Sequence, residues 1–126
     1  HPSAIFSPDK NQLLKRIKPR LDLSDEEAEQ AIEEFQVRSK KLVDIMTEHD
    51  FVNADVVQID CEGYDFEVIK SLGAIRPPII NFESFNLDDQ TWKNFVAWSE
   101  TNDYNYVRGS SDTLAIRRYR PIESTC

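Results

Sequence analysis

The stretch Asp55-Val-Val-Gln-Ile-Asp60-Cys-Glu-Gly-Tyr-Asp65-Phe-Glu-Val-Ile-Lys70-Ser-Leu-Gly73, with Arg76-Pro-Pro-Ile-Ile-Asn-Phe-Glu-Ser84 after it, decides the fold. Val56, Val57 and Ile59 form an apolar run too short and too β-branched for a helix, which predicts a strand buried on both faces. The run stops at Asp60-Cys61-Glu62-Gly63, a loop that carries charge. Phe66, Ile69 and Leu72, with Val68 between them, then share one side of a helix, and Gly73 stands where a helix cap belongs. Pro77 and Pro78 forbid helix, and Ile79, Ile80 and Phe82 make a second buried strand that ends in Glu83. Strand, acidic loop, helix and strand form a βαβ unit, with parallel strands and a right-handed crossover. Ligands in such sheets sit beyond the carboxyl ends of the strands. Asp60, Glu62 and Glu83 are placed there, with Asn86 nearby.

The rest of the chain arranges itself around this unit. Ser7-Pro8-Asp9 opens a helix whose stripe is Leu13, Leu14 and Ile17 and which Pro19 ends. Ser24 caps a second helix, with Glu27 at capping-box spacing; Asp25 to Glu34 reads as a solvated acidic face. Phe35 to Arg38 alternates like a short strand. Ser39 caps a helix carrying Leu42, Val43, Ile45 and Met46, which frays near His49-Asp50. Beyond the central unit, Asp88 caps a long helix that turns Trp92, Phe95, Val96, Trp98 and Ser99 inward. Tyr104 to Val107 and Thr113 to Arg117 form an antiparallel hairpin, and Pro121 to Cys126 is a loose polar tail.

Composition narrows the function. The 126 residues suit one domain. A net charge of −8 argues against nucleic acid and anionic membrane as partners, since both need a basic surface. No apolar run approaches the roughly 20 residues of a membrane span. His1 to Ala4 lack the charged-then-apolar pattern of a signal peptide, so a cytoplasmic location is expected, with Cys61 and Cys126 as reduced thiols. Only Gly63, Gly73 and Gly109 are glycine, and they are scattered. A nucleotide-binding loop needs clustered glycines for its sharp turn and close backbone approach.

Ile59-Asp60-Cys61-Glu62-Gly63-Tyr64-Asp65-Phe66-Glu67-Val68-Ile69-Lys70 resembles the "IDVEG-x-E-x-EVL-K" segment of the FkbM family of S-adenosylmethionine-dependent methyltransferases. Lys41 to Met46 resembles the family's "TLDDLL" helix, Arg76 to Glu83 its "RP-x-x-I-x-x-E" strand, and Asp103 to Arg117 its closing hairpin. The match is good over Ser39 to Arg118 and weak before it. Such methyltransferases begin with a strand, a loop resembling "D-x-G-A-N-x-G" and a second strand ending in a ribose-binding acid, none of which is present. The resemblance therefore implies a single FkbM-like domain over residues 1–126 that lacks its cofactor-binding half. The implied fold is α/β: a partial Rossmann-like methyltransferase sheet, βαβ plus closing hairpin, flanked by helices. The implied activity is methyl transfer from S-adenosylmethionine, with the isolated chain not expected to be competent. The strand at Asp55 to Asp60 becomes an edge, to be covered by a second copy, by Phe35 to Arg38 or by a missing segment.

Three chemistries are open to Asp60 and Glu62. A carboxylate at a strand end can serve as general base toward a hydroxyl of a small-molecule or sugar acceptor. With Glu83 and Asn86 the pair offers hard oxygen ligands to Mg²⁺ or Ca²⁺. An acid here can equally accept backbone N–H groups of the loop, with Gly63 giving the turn. The reading adopted puts Asp60 and Glu62 in the catalytic role and Tyr64, Glu83 and Asn86 in substrate binding, and assigns no metal ligand and no cofactor-binding residue. The rival is a non-catalytic assembly or binding module on the same scaffold. Trp92, Trp98 and the hairpin tyrosines read as packing, and His49 as a solvated side chain.

Overall fold

The structure, a computed structural model, describes residues 9–119. The helix start at Ser7-Pro8 and the tail from Pro121 lie outside the described residues. The chain divides into two compact units, His1–Ser39 and Lys40–Cys126.

In the first unit, α1 spans Lys10–Leu21 and α2 spans Asp25–Gln30. α1 does not end at Pro19 but runs through it to Leu21. Proline in the last turn removes one N–H without blocking closure of the helix end. Closure comes from Asp22, at φ 53°, and a bond from the Leu23 N–H to the Lys18 carbonyl at 3.1 Å. The capping box is realised: the Glu27 N–H donates to Ser24 Oγ at 3.3 Å, and the Ser24 N–H donates to Glu27 Oε2 at 2.9 Å. α2 stops at Gln30, short of Glu34; Ala28 is its buried residue, and the acids after Gln30 give a further turn little apolar surface to bury. Phe35 to Arg38 is irregular, with Phe35 and Val37 exposed, so alternation there produces no strand. A strand needs a pairing partner for its backbone, and none pairs here among the described residues.

In the second unit the order is α3 (Leu42–Glu48), β1 (Val56–Ile59), α4 (Asp65–Lys70), β2 (Ile79–Glu83), α5 (Asp89–Thr101), β3 (Tyr104–Arg108) and β4 (Asp112–Arg117). The strands form one sheet in the order β1-β2-β4-β3. β1 and β2 are parallel, with Val57 opposite Ile80 and Ile59 opposite Phe82. β4 runs antiparallel to both β2 and β3. This is the expected βαβ unit closed by a hairpin.

One face of the sheet carries the core. Val57, Ile59, Ile80, Phe82, Tyr104 and Ala115 are buried against Phe66, Ile69 and Leu72 of the α4 region and Phe95 of α5. Phe95 is the hub, with ring centroids 4.7 Å from Phe82, 5.3 Å from Trp92 and 6.1 Å from Phe66. β1 is not buried on both faces as its composition predicts: it alternates, and Val56 is 56% exposed. Leu114, Ile116 and Val107 are exposed on that same second face. α3 is also capped differently from expectation. Ser39 lies outside it, Lys41 is the N-cap without a side-chain bond, and Ser71 does the capping from the end of α4. The Leu42 N–H donates to Ser71 Oγ at 3.0 Å and the Val43 N–H to the Ser71 carbonyl at 3.1 Å. Gly73, at φ 60°, passes so close to Val43 that an added Cβ would lie 3.8 Å from it.

Candidate active site

Parallel pairing of β1 and β2 puts their carboxyl ends side by side. Asp60 follows β1, and Glu83 is the last residue of β2. Between β1 and α4 the chain turns through two consecutive left-handed residues, Glu62 at φ 53° and Gly63 at φ 96°. A non-glycine residue there costs about 1–2 kcal/mol, so the loop must be held by its surroundings. The turn swings Glu62 back toward the strand ends. Asp60, Glu62 and Glu83 each bring a carboxylate oxygen to within 4.8 Å of the others.

Asn86, in the turn after β2, joins them. Its Nδ2 donates to Glu83 Oε2 at 2.6 Å and to Glu62 Oε2 at 3.5 Å. Tyr64 is the N-cap residue of α4; its ring is half exposed and its hydroxyl makes no hydrogen bond to the acids. Four of the five residues read from the sequence are thus brought together, and Tyr64 lies beside them.

The residue that sequence reasoning missed is Asp65. It is fully buried. Its Oδ1 accepts from the Cys61 N–H at 3.3 Å and from the Glu83 N–H at 3.2 Å, and its Oδ2 accepts from the Gly63 N–H at 3.1 Å. Backbone satisfaction by a carboxylate was expected of Asp60 or Glu62; the structure gives it to Asp65. The available signal was an acid directly after the glycine turn, at the first position of a helix, where an acid normally just complements the helix dipole.

Burial pushes the Asp65 carboxyl above its ordinary range, against the pull of four backbone N–H groups, its own among them. Glu83 is raised too, by burial first; the Asn86 bond opposes this, and the charges of Glu62, Asp60 and Asp65 add to it. Cys61 is a free thiol, raised by burial and then by Asp65 and Asp60. The edge therefore combines carboxylates able to accept a proton with an amide able to donate a hydrogen bond. Three carboxylates this close can also hold a hard divalent cation. Two surface hollows, one lined by Asn11, Leu14, Lys15, Lys18 and Pro19 and the other by Lys40, Asp44, Thr47 and Glu48, include none of these residues.

A partly parallel sheet with helices on one face and polar side chains at its strand ends defines an α/β domain of the ligand-binding kind. Residues 2–119 match the family model of the methyltransferase FkbM domain, and the chain belongs to that family. Neither a curated protein nor a solved structure matches the chain. No helix among the described residues is long and apolar enough to cross a membrane.

Proposed function

We propose that this domain serves methyl transfer from S-adenosylmethionine to a hydroxyl of a small molecule or sugar. The observation that carries the reading is the convergence of Asp60, Glu62 and Glu83 at the ends of two parallel strands in a chain of a methyltransferase family. Carboxylates and an amide suit the hydroxyls of an acceptor. The chain lacks the clustered glycines that a nucleoside-binding loop needs, so this edge fits the acceptor side of the reaction and not the adenosine of the cofactor. When bound, the cofactor supplies an electrophilic methyl group. The residues of this chain hold the acceptor hydroxyl and take its proton: Asp60 or Glu62 is the base, and Glu83 and Asn86 orient the substrate, with Tyr64 as a wall. The β1 edge is covered, in this reading, by a second copy or by another segment.

The test has two arms. Calorimetric titration with S-adenosylhomocysteine asks whether the chain binds cofactor. Transfer of labelled methyl to a panel of sugars and hydroxylated small molecules asks whether it reacts. Asp60→Ala/Glu62→Ala is expected to lower transfer by about 10²–10⁴-fold, the usual contribution of a positioned base. Absence of binding at millimolar ligand sinks the reading. It leaves the second one, a non-catalytic assembly or binding module, which the missing glycine cluster favours.

A further inference from the structure

The acids at the strand ends sit on two separate pieces of chain. Asp60 and Glu62 belong to the loop after β1, and Glu83 ends β2. Their side chains carry like charge and repel, so nothing in the three carboxylates themselves holds them within 4.8 Å. The loop is moreover in a conformation that an isolated chain avoids, with Glu62 at φ 53°.

We propose that Asp65 is the positioning residue of this site: its buried carboxylate ties the loop after β1 to the end of β2, and so sets the spacing of Glu62 against Glu83. A single oxygen, Oδ1, accepts from Cys61 on one piece and from Glu83 on the other. The second oxygen takes the Gly63 N–H, directly after Glu62. Three donors from two chain segments converge on one rigid side chain, which stands on the first residue of α4 and is itself buried among Phe66 and the core. Asp65 does not touch the acceptor; it works through the backbone of the residues that do. The inference rests on the proposed acceptor site for its functional meaning, while the geometry stands without it.

Asp65→Asn is the isosteric probe. Its amide keeps one acceptor oxygen but turns an N–H₂ toward at least one backbone donor, so one of the two attachments is lost. In the full chain, without cofactor or acceptor, amide hydrogen exchange and the carbon-13 shifts of the Glu62 and Glu83 carboxyls are followed by NMR. The expected result is at least tenfold faster exchange at Cys61, Gly63 or Glu83, with Ala115 in the β2–β4 ladder unchanged. The Glu62 and Glu83 titrations should shift toward those of two independent glutamates. Faster exchange with wild-type titrations overturns the proposal, because Asp65 would then stabilise the loop without setting the acids. Unchanged exchange overturns it as well. If Asp65→Asn does not fold, Asp65→Glu decides: glutamate is the residue that the resembled motif carries here. Wild-type titrations with the carboxylate retained support positioning, and uncoupled ones refute it. No methyl transfer enters the readout, so failure here is distinct from failure of the proposed activity.

Discussion

The two faces of the sheet are built from the same kinds of residue and have opposite fates. On one, Val57, Ile59, Ile80, Phe82 and Ala115 lie under the aromatic and aliphatic side chains of α4 and α5. On the other, Val56, Leu114, Ile116 and Val107 are exposed, although they are as apolar and β-branched as their neighbours. The difference teaches that composition marks a residue as fit for burial, but burial itself needs a covering element. Glu83 sits on the second face, in register with Asp112 of β4, so the acidic edge lies at the end of the uncovered side.

The comparison can be broken most forcefully at Phe95. Its truncation in Phe95→Ala removes the ring against which Phe66, Phe82 and Trp92 pack, and a loss of about 3–5 kcal/mol is expected in urea unfolding. A cost near 1 kcal/mol would mean that the covered face is not a packed core. A smaller effect is expected at Glu83, and it depends on pH. The folded state holds this carboxyl above its ordinary value of 4.5, chiefly by burial. Folding therefore favours its protonated form. That contribution is fully present at acid pH and is lost as pH rises through the folded-state value. The melting temperature of wild type relative to Glu83→Gln should accordingly fall as pH is raised from 4 towards 7. A difference that grows over this range would place Glu83 in the opposite environment.

The smallest effect belongs to the open face. Ile116→Thr replaces an exposed β-branched residue by a polar one of similar shape, and a change within about 0.5 kcal/mol is expected. A loss of 2 kcal/mol or more, on the scale of a core substitution, would show that this face is covered in solution. Repeating the measurement over a range of protein concentrations then tells whether a second copy covers it, since oligomer stability follows mass action.

Local rules carried the reading far. The capping box at Ser24 and Glu27 involves four consecutive residues, and both of its bonds form as expected. The prolines at 77 and 78 and the apolar runs around them placed the two parallel strands, and the hairpin at Tyr104 to Arg117 followed from its turn. Reading failed where a partner distant in sequence decides. Ser39 has the chemistry of an N-cap, yet Ser71 supplies the cap of α3 from 29 residues away. Phe35 to Arg38 alternates like a strand but has no strand to pair with among the described residues. Asp60, Glu62, Glu83 and Asn86 were legible as a group because parallel strands must bring their ends together. Asp65 was not, because its role lies in accepting from Glu83, 18 residues on.

The sequence by itself thus determined the βαβ unit, the closing hairpin and the acidic character of the strand ends, because period, proline placement and turn chemistry act over a few residues. Only the tertiary structure decided which face of the sheet is covered, which serine caps α3 and which carboxylate holds the loop. Burial and hydrogen-bond satisfaction are settled by whichever groups the folded chain brings within about 3 Å, and linear spacing does not encode that choice.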